Sequence, residues 1–151
     1  MKTTPLLAML FSAACLVACQ STPTRTAPTQ EQAAIFDPKT LYGQSLQAIE
    51  LDGQAIPAPP EHQQPITLIL SEQGVSGYSG CNGFGGQLSH QGNQISISQI
   101  FSTMRACMDG YGELEHSYTK ALTDAVSIQK NGARIELRDA KNTVRVAFKL
   151  I

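Results

Sequence analysis

Tyr78-Ser79-Gly80-Cys81-Asn82-Gly83-Phe84-Gly85-Gly86 and Ser102-Thr103-Met104-Arg105-Ala106-Cys107 are the two stretches on which the reading of this chain turns. Each carries one cysteine where a strand-like pattern gives way to something else. Outward from the second, Tyr111, Leu114, Tyr118, Ala121, Leu122 and Ala125 recur at three- and four-residue steps. They form one apolar stripe, so a helix is expected over Tyr111 to Ala125. Glu113 and Glu115 stand in its early turns, where carboxylates meet the positive end of the helix dipole, and Asp109 is the candidate cap. A bond between Cys81 and Cys107 is expected and would tie a strand-turn segment to the entry of that helix. The glycines around Cys81 read as close backbone approach and bulges in a twisted sheet. A phosphate-binding loop runs from a strand into a helix, whereas this run leads toward another strand.

Whether the two sulfurs join depends on compartment. Lys2 followed by the apolar run Leu6 to Val17 has the form of an export signal, and the run is shorter than the ~20 residues a membrane-spanning helix needs. It ends in Leu16-Val17-Ala18-Cys19, which resembles the lipobox of bacterial lipoproteins: a small residue before the cut and a thiol to carry lipid. Cys19 is therefore expected to be lipidated and residues 1–18 removed; Cys15 lacks the leucine at the outer position. The resemblance implies several acyl chains, palmitate among them, and a stable membrane anchor, where one chain alone holds only marginally. Gln20, not an aspartate, follows Cys19, which favours the outer membrane with the protein facing the periplasm. Ser21 to Ala34 is rich in Thr, Pro, Gln and Ala and has too little apolar surface to offset the entropy of ordering it. Residues 19–37 are read as the lipidated cysteine and a tether, and residues 38–151 as the folded domain.

Of four cysteines, two fall in the signal and lipobox, leaving Cys81 and Cys107 as a disulfide in an oxidising space. Closing that loop stabilises by about 3–4 kcal/mol in the chain-entropy model. The competing uses are a metal site and a nucleophilic thiol. There is no Cys-x-x-Cys, His90 and His116 stand at no metal-site spacing, and no base lies beside either thiol in sequence. No metal and no cofactor are expected. The net charge of −1 comes with scattered Lys and Arg, so no phosphate-tracking stripe exists and nucleic acid is not an expected partner. The absence of Trp argues against a carbohydrate-stacking platform.

The rest of the domain reads as short strands. Leu41 to Leu51 is a first strand interrupted by Gly43, with Asp52-Gly53 turning it into a short partner, Gln54 to Ile56. Pro57, Pro59 and Pro60 force a loop. Ile66 to Leu70 alternates, and Val75 to Ser79 returns across Glu72-Gln73-Gly74. Phe84 to Ser89 and Gln94 to Ile100 flank a turn at His90-Gln91-Gly92-Asn93. After the helix, Val126 to Lys130 and Ala133 to Arg138 meet at Asn131-Gly132. Thr143 to Ile151 then places Val144, Val146, Phe148 and Leu150 on one face. Many short strands and one helix make an α+β domain: a mostly antiparallel curled sheet or open barrel with one packed helix.

The two opening stretches, with Leu88, Ile95 to Ile97, Glu113-Leu114-Glu115 and Ala121-Leu122, resemble the META domain family of HslJ-type heat-shock lipoproteins. The direct match covers about a third of the chain, and the flanking strands occur in the expected order. Where family members commonly begin with Trp, this chain has Leu41-Tyr42. The resemblance implies a sheet-and-helix domain without established catalysis, associated with heat shock, envelope stress and antibiotic tolerance. Gly80, Asn82, Phe84, Gly86, Thr103 and Met104 are expected to serve structure. Arg105 pairs with Glu113 or Glu115 or meets a partner, and Met104, Met108 and Tyr111 are expected in the core rather than in a binding patch. The function expected is binding or structural support in the envelope, with the membrane as lipid-held partner and an envelope protein as a further one. The other readings are a periplasmic chaperone or inhibitor and, from a different class, a hydrolase or redox enzyme.

Overall fold

The computed structural model describes residues 36–59, 61–107 and 110–151. Cys19, the stretches expected to be an export signal and a tether up to residue 35, Pro60, Met108 and Asp109 lie outside them. Phe36 already packs against the core. Asp37 accepts a hydrogen bond from the Lys39 N–H at 2.9 Å, and Pro38 stands in the first turn, where a missing N–H leaves no bond unmade. Together they start a 3-10 helix, Pro38–Leu41. The first strand therefore begins later than the pattern from Leu41 indicates. Leu41 is buried as part of the helical turn, and Tyr42 touches the sheet through a single parallel bridge to Leu70.

Among the described residues nine strands and one α-helix follow. They are β1 (Ser45–Leu51), β2 (Gln54–Ala55), β3 (Thr67–Ser71), β4 (Gly74–Tyr78), β5 (Gly83–Gln91), β6 (Gln94–Ser102), α1 (Tyr111–Asp124), β7 (Ser127–Asn131), β8 (Arg134–Arg138) and β9 (Val144–Leu150). Two hairpin loops differ from what the turn residues imply, one by being shorter and one by its position. His90 and Gln91 pair with Ile95 and Gln94, which leaves only residues 92–93 in the loop. Asn131 pairs with Arg134, so that loop moves one residue on, to 132–133.

The paired strands are all antiparallel, in the order β2-β1-β3-β4-β5-β6-β7-β8-β9, and β1 also pairs with β9. The sheet thus curls into a ring. Its thinnest joint is between β6 and β7, where Gln94 and Ser127 form the one ladder pair. The helix connects those two strands and packs against β6 and β9, burying Tyr118, Ala121 and Leu122 inside the ring. Alternation supplies the other core residues: Leu68 and Leu70 from β3, Ile95 and Ile97 from β6, Val146 and Phe148 from β9. Tyr118 sits at the centre. Its ring meets Phe84 edge-on at 5.8 Å and Phe148 at 6.5 Å, and its hydroxyl donates to the Thr67 carbonyl at 3.1 Å. Burial pushes the Tyr118 hydroxyl well above the ordinary phenol range, so it stays a donor.

Leu150 departs from its expected place. It shares a face with Phe148 but lies beyond the core and is 44% exposed. On the outer face, Glu136 is buried between Arg138 and Arg134, beside the small Ala147 that pairs with it. Arg145 bonds both Asp52 in the β1–β2 turn and Asp124 at the end of α1, so β9 links those two ends by charge.

Leu122→Ala empties a fully buried site in the ring and is expected to destabilise by about 2–5 kcal/mol. Leu150→Ala is expected to stay within about 0.5 kcal/mol of the parent, measured by the same urea titration.

Candidate functional site

The chain leaves β4 through a tight turn over residues 79–82. The Ser79 N–H and hydroxyl both donate to the Asn82 carbonyl, at 2.8 and 2.9 Å, and the Asn82 N–H donates back to Ser79 Oγ at 3.2 Å. Gly80 has φ 98°, a conformation that strains any residue with a side chain, and a Cβ there would stand 3.3 Å from the Ile66 side chain, which would have to give slightly. The turn aims Cys81 and Asn82 at the loop that follows β6. Cys81 and Cys107 are joined, with S–S 2.05 Å and Cα atoms 5.7 Å apart.

Asn82 organises what surrounds the bridge. It is only 4% exposed. Its Oδ1 accepts from the Thr103 hydroxyl at 2.8 Å and from the Arg105 N–H at 2.9 Å. Its Nδ2 donates to Glu115 Oε2 at 2.8 Å and lies 3.5 Å from both the Arg105 carbonyl and Cys107 Sγ. Two donors fix the oxygen side, so the NH2 group must face Glu115 and the sulfur. One amide thereby joins the β4–β5 turn, the loop after β6 and the second turn of α1. Glu115 Oε2 also stands 3.5 Å from Cys107 Sγ. Beside Cys81 opens a cleft of about 510 Å³ bordered by His62, Tyr78, Arg105 and Tyr111.

Gly80, Cys81, Asn82, Thr103 and Cys107 thus come together. Phe84 lies in the core against Tyr118, and Gly86 sits opposite Gln99 and Ile100, where the β5–β6 register slips by one. The expectation of bulges among the glycines holds at Gly86 but not at Gly77, which pairs regularly with Leu68 and Phe84. Gly77 is needed for close approach: a Cβ there would fall 2.1 Å from the Thr67 carbonyl oxygen. Met104 is the clearest departure. It was expected in the core but is 100% exposed, because its neighbours Thr103 and Arg105 turn their polar groups inward to Asn82. Arg105 contributes its backbone, and among the described residues its side chain pairs with neither Glu113 nor Glu115. The role of Glu115 as the Asn82 acceptor went unread, since only helical phase places that carboxylate toward the loop rather than toward solvent. The exposed Phe101, 70% accessible and lying over Gly85, also carried no sequence signal beyond its β-propensity.

The family model that matches the chain is that of the META domain, over residues 39–150. No curated protein matches it. An NMR structure of a protein from Burkholderia xenovorans is similar at 26% identity and a TM-score of 0.59, covering 86% of this chain and 99% of that one. A second NMR structure, at 17% identity and a TM-score of 0.59, covers 75% of this chain and 93% of its own and shows the shared fold.

Asn82→Ala leaves Glu115, Thr103 and the Arg105 N–H without a shared partner while the bridge stays closed. The expected loss is about 2–3 kcal/mol. Cys107→Ser is expected to lose about 2–4 kcal/mol in the oxidised protein and almost nothing relative to parent protein under a reductant. Thermal unfolding with and without reductant separates the two contributions.

Proposed function

The chain belongs to the META domain family, and on that premise we propose that it is a lipid-anchored bacterial envelope protein that acts by binding or structural support rather than by catalysis. The observation that carries this reading is the state of Asn82. Its oxygen and its NH2 group are spent on Thr103, Arg105 and Glu115, so the polar centre of the motif is committed to holding the chain. A catalytic amide or carboxylate keeps a position free for substrate. Leu16-Val17-Ala18-Cys19 supplies the anchor, and the stretch Ser21 to Ala34 gives the domain reach from the lipid surface. In this reading the protein serves envelope or heat-stress tolerance from the periplasmic side of the outer membrane.

A second reading is favoured by Phe101 and Met104, two large apolar side chains that face solvent on and just after β6. A periplasmic protein-binding module presents such side chains to a partner.

Cys19→Ala is expected to move the protein from the membrane fraction to the soluble periplasm and to abolish metabolic palmitate labelling. Retention in membranes refutes the anchor. In a strain lacking the gene, the wild type is expected to restore survival of heat or antibiotic stress and Cys19→Ala to fail. The double variant Phe101→Ser, Met104→Ser separates the readings: loss of rescue with unchanged melting supports a binding module, and full rescue supports structural support.

A further inference from the structure

The sulfurs of Cys81 and Cys107 and a carboxylate oxygen of Glu115 all lie within 4.8 Å of one another. While the disulfide is closed, neither sulfur is a thiolate and the trio has no metal-binding chemistry. Opening the bridge changes that. We propose that the reduced protein binds one thiophilic divalent cation, zinc by its chemistry, on Cys81, Cys107 and Glu115, so that the motif is a redox-gated metal site.

The geometry is the argument. In a tetrahedral zinc site, bonds of about 2.3 Å to sulfur and about 2.1 Å to oxygen place sulfur and oxygen about 3.6 Å apart and two sulfurs about 3.8 Å apart. Cys107 Sγ and Glu115 Oε2 already stand at 3.5 Å. One of the three edges is therefore in place before any ion arrives. The sulfur–sulfur edge opens when the bond is cleaved, and a Cα separation of 5.7 Å allows the two sulfurs to part by side-chain rotation. The supporting groups fit as well. Asn82 Nδ2 donates to Glu115 Oε2 and faces Cys107 Sγ at 3.5 Å, the position of an outer group that orients ligands without binding metal. Its own orientation is fixed by Thr103 and Arg105. Among the described residues no Lys, Arg or His is paired with Glu115. The carboxylate thus has no competing cation. Thiolate pairs select zinc over magnesium or calcium. Three protein ligands leave the fourth position to water.

The steps balance. A dithiol reductant gives two electrons and two protons to the Cys81–Cys107 bond, which becomes two thiols as the dithiol closes to its own disulfide. The cation then displaces both thiol protons to form two metal–thiolate bonds and takes the Glu115 carboxylate as third ligand. A disulfide oxidant, which takes up the two electrons and two protons and becomes a dithiol, re-forms the Cys81–Cys107 bond once the ion has left and the thiols are protonated.

The test uses the full chain carrying Cys15→Ser and Cys19→Ser, so that Cys81 and Cys107 are the only thiols. It is reduced with a phosphine, freed of the phosphine without air, and titrated with cobalt(II), then zinc. The reduced protein is expected to bind one cobalt per chain with thiolate-to-cobalt charge-transfer absorption, and zinc to displace it. The oxidised protein is expected to show neither. Glu115→Gln is expected to weaken binding by about tenfold or more while keeping the charge-transfer band, and Cys81→Ser to abolish the band. The proposal is overturned if the reduced chain takes up no cobalt, whether it remains folded by circular dichroism or not. Equal binding by oxidised protein, or unchanged affinity in Glu115→Gln, overturns it as well.

Discussion

A single buried amide, that of Asn82, fixes the middle of this protein. An amide side chain offers one acceptor oxygen and two donor hydrogens, and here each side is claimed by a different part of the chain. Moving any of the three segments away would strand a polar group out of water. The neighbouring Cys81–Cys107 bridge constrains the same segments by other means. The covalent link removes conformations from the unfolded chain, whereas the amide rewards one arrangement in the folded chain. The bridge alone would allow the loop after β6 to pivot about its sulfurs. The amide alone would leave a longer chain to be searched. Together they give the entry of α1 a defined direction.

That direction matters because α1 completes the ring. The sheet is continuous from β1 round to β9 except at the single-pair joint between β6 and β7, and the helix links these two strands in sequence while packing against β6 and β9. Tyr118 then does what no aliphatic residue can do at that site. Its ring fills the centre between Phe84 and Phe148, and its hydroxyl satisfies a β3 carbonyl. On the outside, the Arg145 contacts with Asp52 and Asp124 hold the far end of the same helix against the turn after β1. Both helix ends are therefore tied, one by a neutral amide network and the other by charge.

The features legible in the sequence are those set by local pattern. Ile66 to Leu70 and Ile95 to Ile97 alternate and form strands, and the stripe from Tyr111 to Ala125 forms the helix almost residue for residue. Counting cysteines leaves Cys81 and Cys107 as the pair that the structure joins. What was not legible depends on distant partners. Leu41 and Tyr42 look like strand, but Asp37 and Pro38 commit Leu41 to a helical turn and leave Tyr42 a single bridge to Leu70. Nothing near Glu115 announces that an asparagine in another loop needs its carboxylate. Met104 reads as core because methionine usually is, yet the polar demands of Asn82 on both of its neighbours turn it outward. Glu136 looks like a surface residue of β8 and is buried by two arginines and the small size of Ala147.

The pairing of β1 with β9 carries a consequence for biosynthesis. Among the strands of the described residues β1 is made first and β9 last, so a nascent chain holds most of these strands before it holds the one that seals them. Until residues 144–150 emerge, Leu46 and Ala48 lack their opposite neighbours Leu150 and Phe148, and Tyr118 lacks one of its two aromatic contacts. Contacts of such high sequence separation form late. Closure of the ring therefore waits until residues 144–150 are made.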